Sequence, residues 1–341
     1  MSTAAELYEV NLVSSSKLKL RAKAGLAEGT AEAIFDACVL FHEAARLERR
    51  AVEALSPCPP EARLAGSIEE CWCLLEGSDP DAAAAVWSRI LSEQEDVDRA
   101  TAQAMLVRLR PRYDKSVKLF ARAVQSHPAL TQIGRTQVLV PTSSDEQKKA
   151  LRALQTLLQQ FPGVPGLWAG ASRLADVTGN RGLEWDAINR ALRLDPDNTA
   201  LRASSLIVAA ERLRPAEADE YLAPVYSTLH RAEAEVCLML AFGEVVLAER
   251  SPATRTERWK RAASAVNAAY PQARSEWMTK LLNGLSLFLD AAIAKRKPDP
   301  DLLYRAGLGR LAATSGGKPI DALLTEATAR VGAMYGSSVA A

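Results

Sequence analysis

The chain has 341 residues, of which 48% are hydrophobic, 24% are charged and only 6% are aromatic. This composition excludes an intrinsically disordered chain, and the net charge of +1, from 42 basic and 41 acidic residues, argues against a nucleic-acid-binding protein. No apolar run approaches the roughly 18 residues that a membrane-spanning helix needs, so no membrane partner is expected.

Good helix formers dominate the chain, and runs of Val, Ile, Thr and Tyr with period two are rare, which predicts an all-α fold. Residues 1–62 are predicted to form an N-terminal arm and a long capping helix. The capping helix covers residues 31–56, where Ile34, Cys38 and Phe41 recur on one apolar side. The first 25 residues are expected to form a loosely packed helix or arm.

The most informative segment is PGLWAGASRLADVTGNRGLEWDAINRALRLDPDN, residues 165–198. It indicates a helix, a turn at Gly179-Asn180, a second helix and a stop at Pro196. This segment resembles a tetratricopeptide repeat, a helix-turn-helix unit of 34 residues. Trp168 stands where that family places its tryptophan, and Gly179 stands at the turn.

Neighbouring segments share the 34-residue spacing. Small residues recur early in the second helix of four of the five predicted units: Ala82, Ser116, Ala150 and Ala218. Large apolar residues recur four positions later: Val86, Phe120, Leu154, Ile188 and Leu222. The predicted units are 63–96, 97–130, 131–164, 165–198 and 199–232. The resemblance implies a right-handed superhelical solenoid of antiparallel helix pairs with helical caps at both ends, because one short pair cannot bury its apolar stripe alone.

Local signals support these units and also mark departures from the family pattern. Asp79-Pro80 predicts a helix start, and Ser143 with Glu146 predicts a capping box. Pro141 is expected to end the first helix of the third unit early, and Pro224 to kink or shorten the second helix of the fifth. Residues 233–341 are predicted to be helical but outside the 34-residue spacing, as degenerate repeats or a cap.

No motif of catalytic or cofactor chemistry is present, so no catalytic residue, metal or cofactor is predicted. The three histidines fall in separate segments. Cys71 and Cys73 lie two residues apart, about 200° around a helix, and cannot both bind one zinc ion there. The five cysteines have no disulfide spacing, and the N-terminus lacks a signal-peptide pattern, so we expect a cytoplasmic protein.

In the tetratricopeptide family the first helices of the repeats line a concave groove that binds peptides or partner helices. The matching positions predict a partner-binding groove in this chain, lined by Cys71, Leu74, Met105, Arg108, Arg135, Leu139, Arg173 and Asp176. The three arginines suit an acidic segment or a C-terminal carboxylate.

The sequence therefore favours a non-catalytic protein–protein interaction module, such as an adaptor, a regulator or an assembly subunit. Three alternatives stay open at this point. They are a ligand- or peptide-sensing regulatory repeat domain, an RNA-binding helical-repeat protein and an enzyme on a helical toroid. The near-neutral charge argues against RNA, and the missing acidic or histidine clusters argue against an enzyme.

Overall fold

The computed structural model describes residues 3–93, 97–126, 143–274 and 276–295. Within these ranges it contains thirteen α-helices, three short 3-10 turns and no strand, which confirms the prediction of an all-α chain. The chain divides into two compact units. Unit 1 comprises Met1–Asn180 and Arg193–Asp195, and unit 2 comprises Arg181–Leu192 and Pro196–Ala341.

The helices of unit 1 are α1 (Ala4–Glu28), α2 (Ala31–Ala54), α3 (Pro60–Glu76), α4 (Pro80–Ser92), α5 (Arg99–Gln125), α6 (Ser144–Gln160) and α7 (Pro165–Val177). They are followed by α8 (Arg181–Leu194), α9 (Thr199–Arg212), α10 (Pro215–Ser227), α11 (Ala234–Arg250), α12 (Arg255–Ala269) and α13 (Glu276–Ile293). Residues 181–192 of α8 belong to unit 2, and its last two residues belong to unit 1.

Side-chain caps set the beginnings of several helices, as the sequence predicts. The Asp79 carboxylate accepts a hydrogen bond from the Ala82 amide at 3.0 Å at the start of α4. The Ser143 hydroxyl accepts one from the Glu146 amide at 3.3 Å at the start of α6. Each cap satisfies an amide that has no partner within the helix.

The turns of two predicted helix pairs adopt left-handed backbone geometry by different means. Gly179, between α7 and α8, has φ of +75°, which glycine adopts without strain. Between α3 and α4 the left-handed residue is Ser78, with φ of 61°, whereas Gly77 has φ of −76°. A Cβ atom on Gly77 would lie 3.0 Å from His42 Cδ2 and 3.2 Å from Phe41 Cβ, so this position needs glycine for space rather than for conformation.

In unit 1, α1 packs along α2, α2 packs on α3, α5 packs on both α3 and α4, and α6 packs on α7. The first 25 residues, expected to form a loosely packed helix or arm, belong to α1, a 25-residue helix with Ser15 and Ala22 fully buried. The Ser15 hydroxyl donates to the buried Glu48 carboxylate at 2.6 Å. Trp168 on α7 packs edge-on against Phe35 on α2, with ring centroids 5.6 Å apart.

The apolar positions that recur every 34 residues lie inside the protein. All five members of the large apolar set are buried: Val86, Phe120, Leu154, Ile188 and Leu222. Residues 63–96, 165–198 and 199–232 each contain two successive helices joined by a short turn, and the two helices pack on each other in the first and the last of these ranges. Of the third predicted unit, only the second helix, α6, lies among the described residues, and Pro141 lies outside them.

Residues 97–130 differ from the predicted helix pair. They contain one continuous helix, α5, which runs for 27 residues with Pro111 inside it. Pro111 occupies the position that Gly77 and Gly179 hold in the other units, and no glycine or asparagine stands nearby to form a left-handed turn. Proline removes one backbone hydrogen bond but leaves the following turn helical here.

The core of unit 2 surrounds α11, in which residues 236–242 are all buried. Helices α9 and α12 pack against α11, and α13 packs against α12. Pro224 lies in the last turn of α10, which ends three residues later at Ser227. This region is predicted to depart from the repeat spacing. Its helix α11 is apolar almost all round, which is typical of a buried helix.

Candidate interaction surface

The structure places the predicted groove residues in different environments. Cys71 and Leu74 lie in the core of unit 1, with 0% and 5% exposure. Their assignment as partner-contacting residues is corrected, because α4 packs on the side of α3 that carries Cys71. The Cys71 thiol lies 3.5 Å from the Ala83 carbonyl oxygen of α4. Burial raises the pKa of this thiol to about 12, so it stays protonated and unreactive near neutral pH.

The other predicted groove residues lie nearer the surface or outside the described ranges. Arg108 and Asp176 are exposed, and Met105 is half-buried. Arg173 is also half-buried, and burial lowers the pKa of its guanidinium. Arg135 and Leu139 lie outside the described residues. Arg108 is therefore the basic member of the set that a partner can reach without rearrangement.

Arg108 belongs to a larger feature, the solvent-facing side of α5. Seven of the 27 residues of α5 are Lys or Arg, and one, Asp114, is acidic. This leaves 35 basic and 40 acidic residues in the rest of the chain, so a helix of net charge +6 belongs to a chain whose remainder has net charge −5. The charge of the protein is therefore segregated, although its total is near zero.

Five of these basic residues recur every three or four positions and so share one side of the helix: Arg108, Arg112, Lys115, Lys118 and Arg122. We call them the basic face of α5. All five are exposed, and the face extends for about 21 Å at 1.5 Å per residue. Two exposed aliphatic side chains accompany it, Leu119 (49% exposed) and Val107 (64% exposed).

The opposite side of α5 fixes this face in position. Leu106, Leu109 and Phe120 are buried. Tyr113 stacks on Trp87 of α4, with ring centroids 5.1 Å apart and an angle of 14° between the rings. The basic face therefore belongs to a helix that is already packed along most of its length, which reduces the ordering cost of binding.

Four cations of the basic face have no ion pair within the described parts of the chain: Arg108, Lys115, Lys118 and Arg122. Arg112 is different, because its guanidinium pairs with Glu76 and lies over the Trp72 ring at 4.7 Å from the ring centroid. Unpaired surface cations attract anions over about 8 Å at physiological salt. The arrangement is suited to bind an extended anionic partner.

A shallow cleft of about 170 Å³ between α2, α3 and α4 offers a second cluster of arginines. It is lined by Arg49, Arg63 and Arg89, together with the buried Glu70. Arg49 donates to Glu70 at 2.8 Å, and Arg89 pairs with the other carboxylate oxygen. Because Glu70 already binds two of the three guanidinium groups, and Glu53 and Glu93 also line the cleft, this cluster presents no net positive charge.

A buried polar junction lies elsewhere in unit 1, where the α3–α4 turn meets α2. His42 Nε2 lies 3.7 Å from Asp79 Oδ2, and both side chains are almost fully buried. Burial and the nearby Arg46 lower the pKa of His42 to about 4, against the opposing effect of backbone groups of Gly163 and Leu194. Burial raises the pKa of Asp79 to about 7, aided by Asp81 and Asp195. In weakly acidic solution the pair is therefore neutral rather than an ion pair.

These shifts predict a pH dependence of stability, and Asp79→Asn removes the part of it that comes from Asp79. The pKa of Asp79 is about 7 in the folded state against 3.8, so its stabilising contribution is complete below pH 3.8 and is lost as pH rises through 7. His42 acts oppositely, since its contribution is present above pH 6.5 and is lost as pH falls toward 4. Asparagine retains the helix cap but does not titrate, so the comparison isolates Asp79.

We expect the free energy of unfolding of the wild type to exceed that of Asp79→Asn by an amount that decreases as pH rises from 4 to 7. The decrease should be at most about 1.4 kcal/mol per pH unit. Urea unfolding at a series of pH values, followed by circular dichroism, measures this difference. If the two proteins keep a constant difference across the range, Asp79 does not hold its proton as described.

The described parts of the chain contain no group of three or more His, Cys, Asp or Glu side chains that could hold a metal ion. In the same ranges, no helix combines the length and apolar character that crossing a membrane requires. Cys71 and Cys73 have different neighbours, since Cys71 lies by α4, whereas burial raises the pKa of Cys73 to about 12 against the opposing effect of the nearby Lys19.

Comparison with known proteins yields no relative. No protein-family model matches the chain, and neither the curated proteins nor the solved structures give a significant match. The resemblance to the tetratricopeptide family therefore depends on the residue pattern alone and stays a prediction.

Proposed function

We propose that the chain is a non-catalytic protein-interaction module, built as a tetratricopeptide-like helical repeat, and that the basic face of α5 binds an acidic segment of a partner protein. The observation that carries the proposal is the segregation of charge. Four cations that have no ion pair among the described residues, together with Arg112, are displayed on one helix of a chain that is otherwise acidic. The repeat architecture is supported by the helix pairs and by the buried apolar positions at 34-residue spacing.

The chemistry of the face favours a protein partner over a nucleic acid. Leu119 and Val107 offer apolar contacts beside the charges, as an amphipathic acidic segment requires. A single-stranded nucleic acid needs exposed aromatic rings on which its bases stack. Tyr113, the one aromatic residue of α5 besides the buried Phe120, is half-buried and already stacked on Trp87.

The test compares two triple variants that change the net charge equally. Arg108→Glu/Lys115→Glu/Arg122→Glu reverses the basic face, and Lys148→Glu/Lys149→Glu/Arg152→Glu reverses three exposed cations of α6. Three fluorescent probes are titrated by anisotropy: an amphipathic Glu/Leu helical peptide, the same peptide with Lys for Glu, and a single-stranded oligonucleotide of matched charge.

We expect the wild type and the α6 variant to bind the acidic peptide alike, and the α5 variant to bind it at least about tenfold more weakly. The wild-type affinity should fall as salt is raised, because the contacts are solvent-exposed. Equal binding of the acidic peptide by the two triple variants would show that the basic face is not its binding site. If the wild type binds the oligonucleotide more tightly than the acidic peptide, the partner of the basic face is a nucleic acid rather than a protein.

A further inference from the structure

Helix α1 leaves a second surface uncovered. Four of the nine large aliphatic side chains that are well exposed in the described residues lie on α1: Leu7, Val10, Val13 and Leu20, with 46 to 69% exposure. The opposite side of α1 carries Ser15 and Ala22, which are fully buried against the rest of unit 1. The exposed side chains therefore do not contribute to the core that holds α1 in place.

These side chains follow the spacing of a coiled-coil seam. Exposed residues recur at intervals of four, three, four, three and four along the helix: Glu6, Val10, Val13, Lys17, Leu20 and Ala24. Intervals of four and three alternate where a helix presents a continuous stripe to one partner helix. We call this stripe the outer seam of α1. It extends for about 27 Å at 1.5 Å per residue.

Charge is divided along the same helix. Glu6 and Glu9 lie in its first half, whereas Lys17, Arg21 and Lys23 lie in its second half, and all five side chains are exposed. Glu28, which is also exposed, is the last residue of α1, so the exposed charges of the second half sum to +2. Lys19 is not part of this set, because it is directed inward to Glu48 at 3.0 Å and Glu69 at 3.2 Å. A helix whose first half is acidic and whose second half is net basic is complementary to a second copy of itself in antiparallel orientation, and repels one in parallel orientation.

We propose that two copies of the chain associate through antiparallel pairing of their outer seams about a two-fold axis. With the axis near residue 15, Val10 of one copy lies beside Leu20 of the other, and Val13 lies against the aliphatic stem of Lys17. In the same register Glu9 of each copy flanks Lys23 of the other. The contact is isologous, so each interaction occurs twice.

This interface goes beyond the proposed function, because it is formed by α1 and does not involve the basic face of α5. A single pair of helices lies at the low end of the interface areas that give specific association, so the dimer should dissociate in the micromolar range. Sedimentation velocity of the full chain over roughly 1 to 100 µM is therefore the appropriate measurement.

The wild type is expected to shift with concentration from the 36.8 kDa monomer toward twice that mass. Val13→Asp/Leu20→Asp should stay monomeric over the whole range while retaining its helical circular dichroism. Leu91→Asp, which places one aspartate at a 48%-exposed leucine of α4, should associate as the wild type does. A wild type that is monomeric throughout, or a Val13→Asp/Leu20→Asp variant that still dimerises, overturns the proposal.

Charge exchange tests the antiparallel orientation. Glu9→Lys and Lys23→Glu should each dimerise several-fold more weakly than the wild type, since each places like charges together at both ends. An equimolar mixture should recover the wild-type affinity as a heterodimer, because the introduced lysine then faces the introduced glutamate. Neither residue has a hydrogen bond or ion pair within the described residues, so folding should be unaffected. Absence of recovery in the mixture overturns the antiparallel register.

Discussion

Gly163→Ala is expected to destabilise unit 1 by about 3 kcal/mol or more, one of the two largest effects that we predict for a single substitution. A Cβ atom on Gly163 would overlap the Gly77 carbonyl oxygen and would lie 2.7 Å from the Gly77 carbonyl carbon. Both obstructing atoms belong to backbone, so no side-chain rotation relieves the clash. The α3–α4 turn or the segment between α6 and α7 must move.

Gly182→Ala is the matched control for this substitution. Nothing lies within 4 Å of a Cβ atom at Gly182, which is the second residue of α8. Alanine is favoured over glycine within helices by about 1 kcal/mol, so this variant should be neutral or more stable. Thermal unfolding of both variants measures the contrast. Equal melting temperatures would show that the two turns do not approach as closely as the structure places them.

Arg258→Met is expected to cost unit 2 about 3–5 kcal/mol, because it leaves a buried carboxylate without its cation. Arg258 donates to Glu244 at 3.1 Å and to Asp219 at 2.8 Å. Glu244 has 0% exposure, and its other oxygen accepts a hydrogen bond from the Tyr226 hydroxyl at 2.5 Å. Burial and the Glu244 carboxylate raise the pKa of Tyr226, so the phenol remains a donor.

Replacing both Arg258 and Glu244 should restore most of the stability that Arg258→Met removes. Apolar side chains of similar volume avoid the desolvation of two charges, so Glu244→Leu/Arg258→Met should be within about 2 kcal/mol of the wild type. Lys280→Met, which breaks the surface pair with Glu276 at 2.6 Å, should change stability little. Urea unfolding measures all three proteins. A double variant no more stable than Arg258→Met would mean that the pair is not the source of the loss.

Much of the fold could be predicted because its signals are local. The capping residues Asp79 and Ser143 mark helix starts through atoms only three residues away. The burial of Leu154 and Ile188 follows from spacing along a helix and between repeats. The turn at Gly179 follows from the conformational freedom of glycine. These features need no knowledge of distant contacts.

The candidate surface is harder to predict from the sequence than the fold is, for physical reasons. The total charge of +1 conceals a helix of net +6, because the acidic residues lie elsewhere in the chain. The repeat spacing predicts two short helices in residues 97–130, whereas the structure has the single helix α5, so the continuity of its basic face is not evident from the sequence. Cys71 was assigned to a groove because of its place in the repeat, whereas the packing of α4 buries it. The close approach of Gly163 to Gly77 joins residues 86 positions apart, and no local pattern encodes it.

The central claim, that the basic face of α5 binds an acidic segment of a partner protein, is tested most directly by photo-cross-linking in the native host. A photoreactive phenylalanine derivative is placed at Leu119, within the face, or at Leu91 of α4, which has nearly the same exposure. We predict that position 119 cross-links to a Glu- or Asp-rich segment of one partner protein, and that this product disappears in the Arg108→Glu/Lys115→Glu/Arg122→Glu background. Cross-links to nucleic acid at position 119, or a partner captured equally at position 91, would contradict the claim.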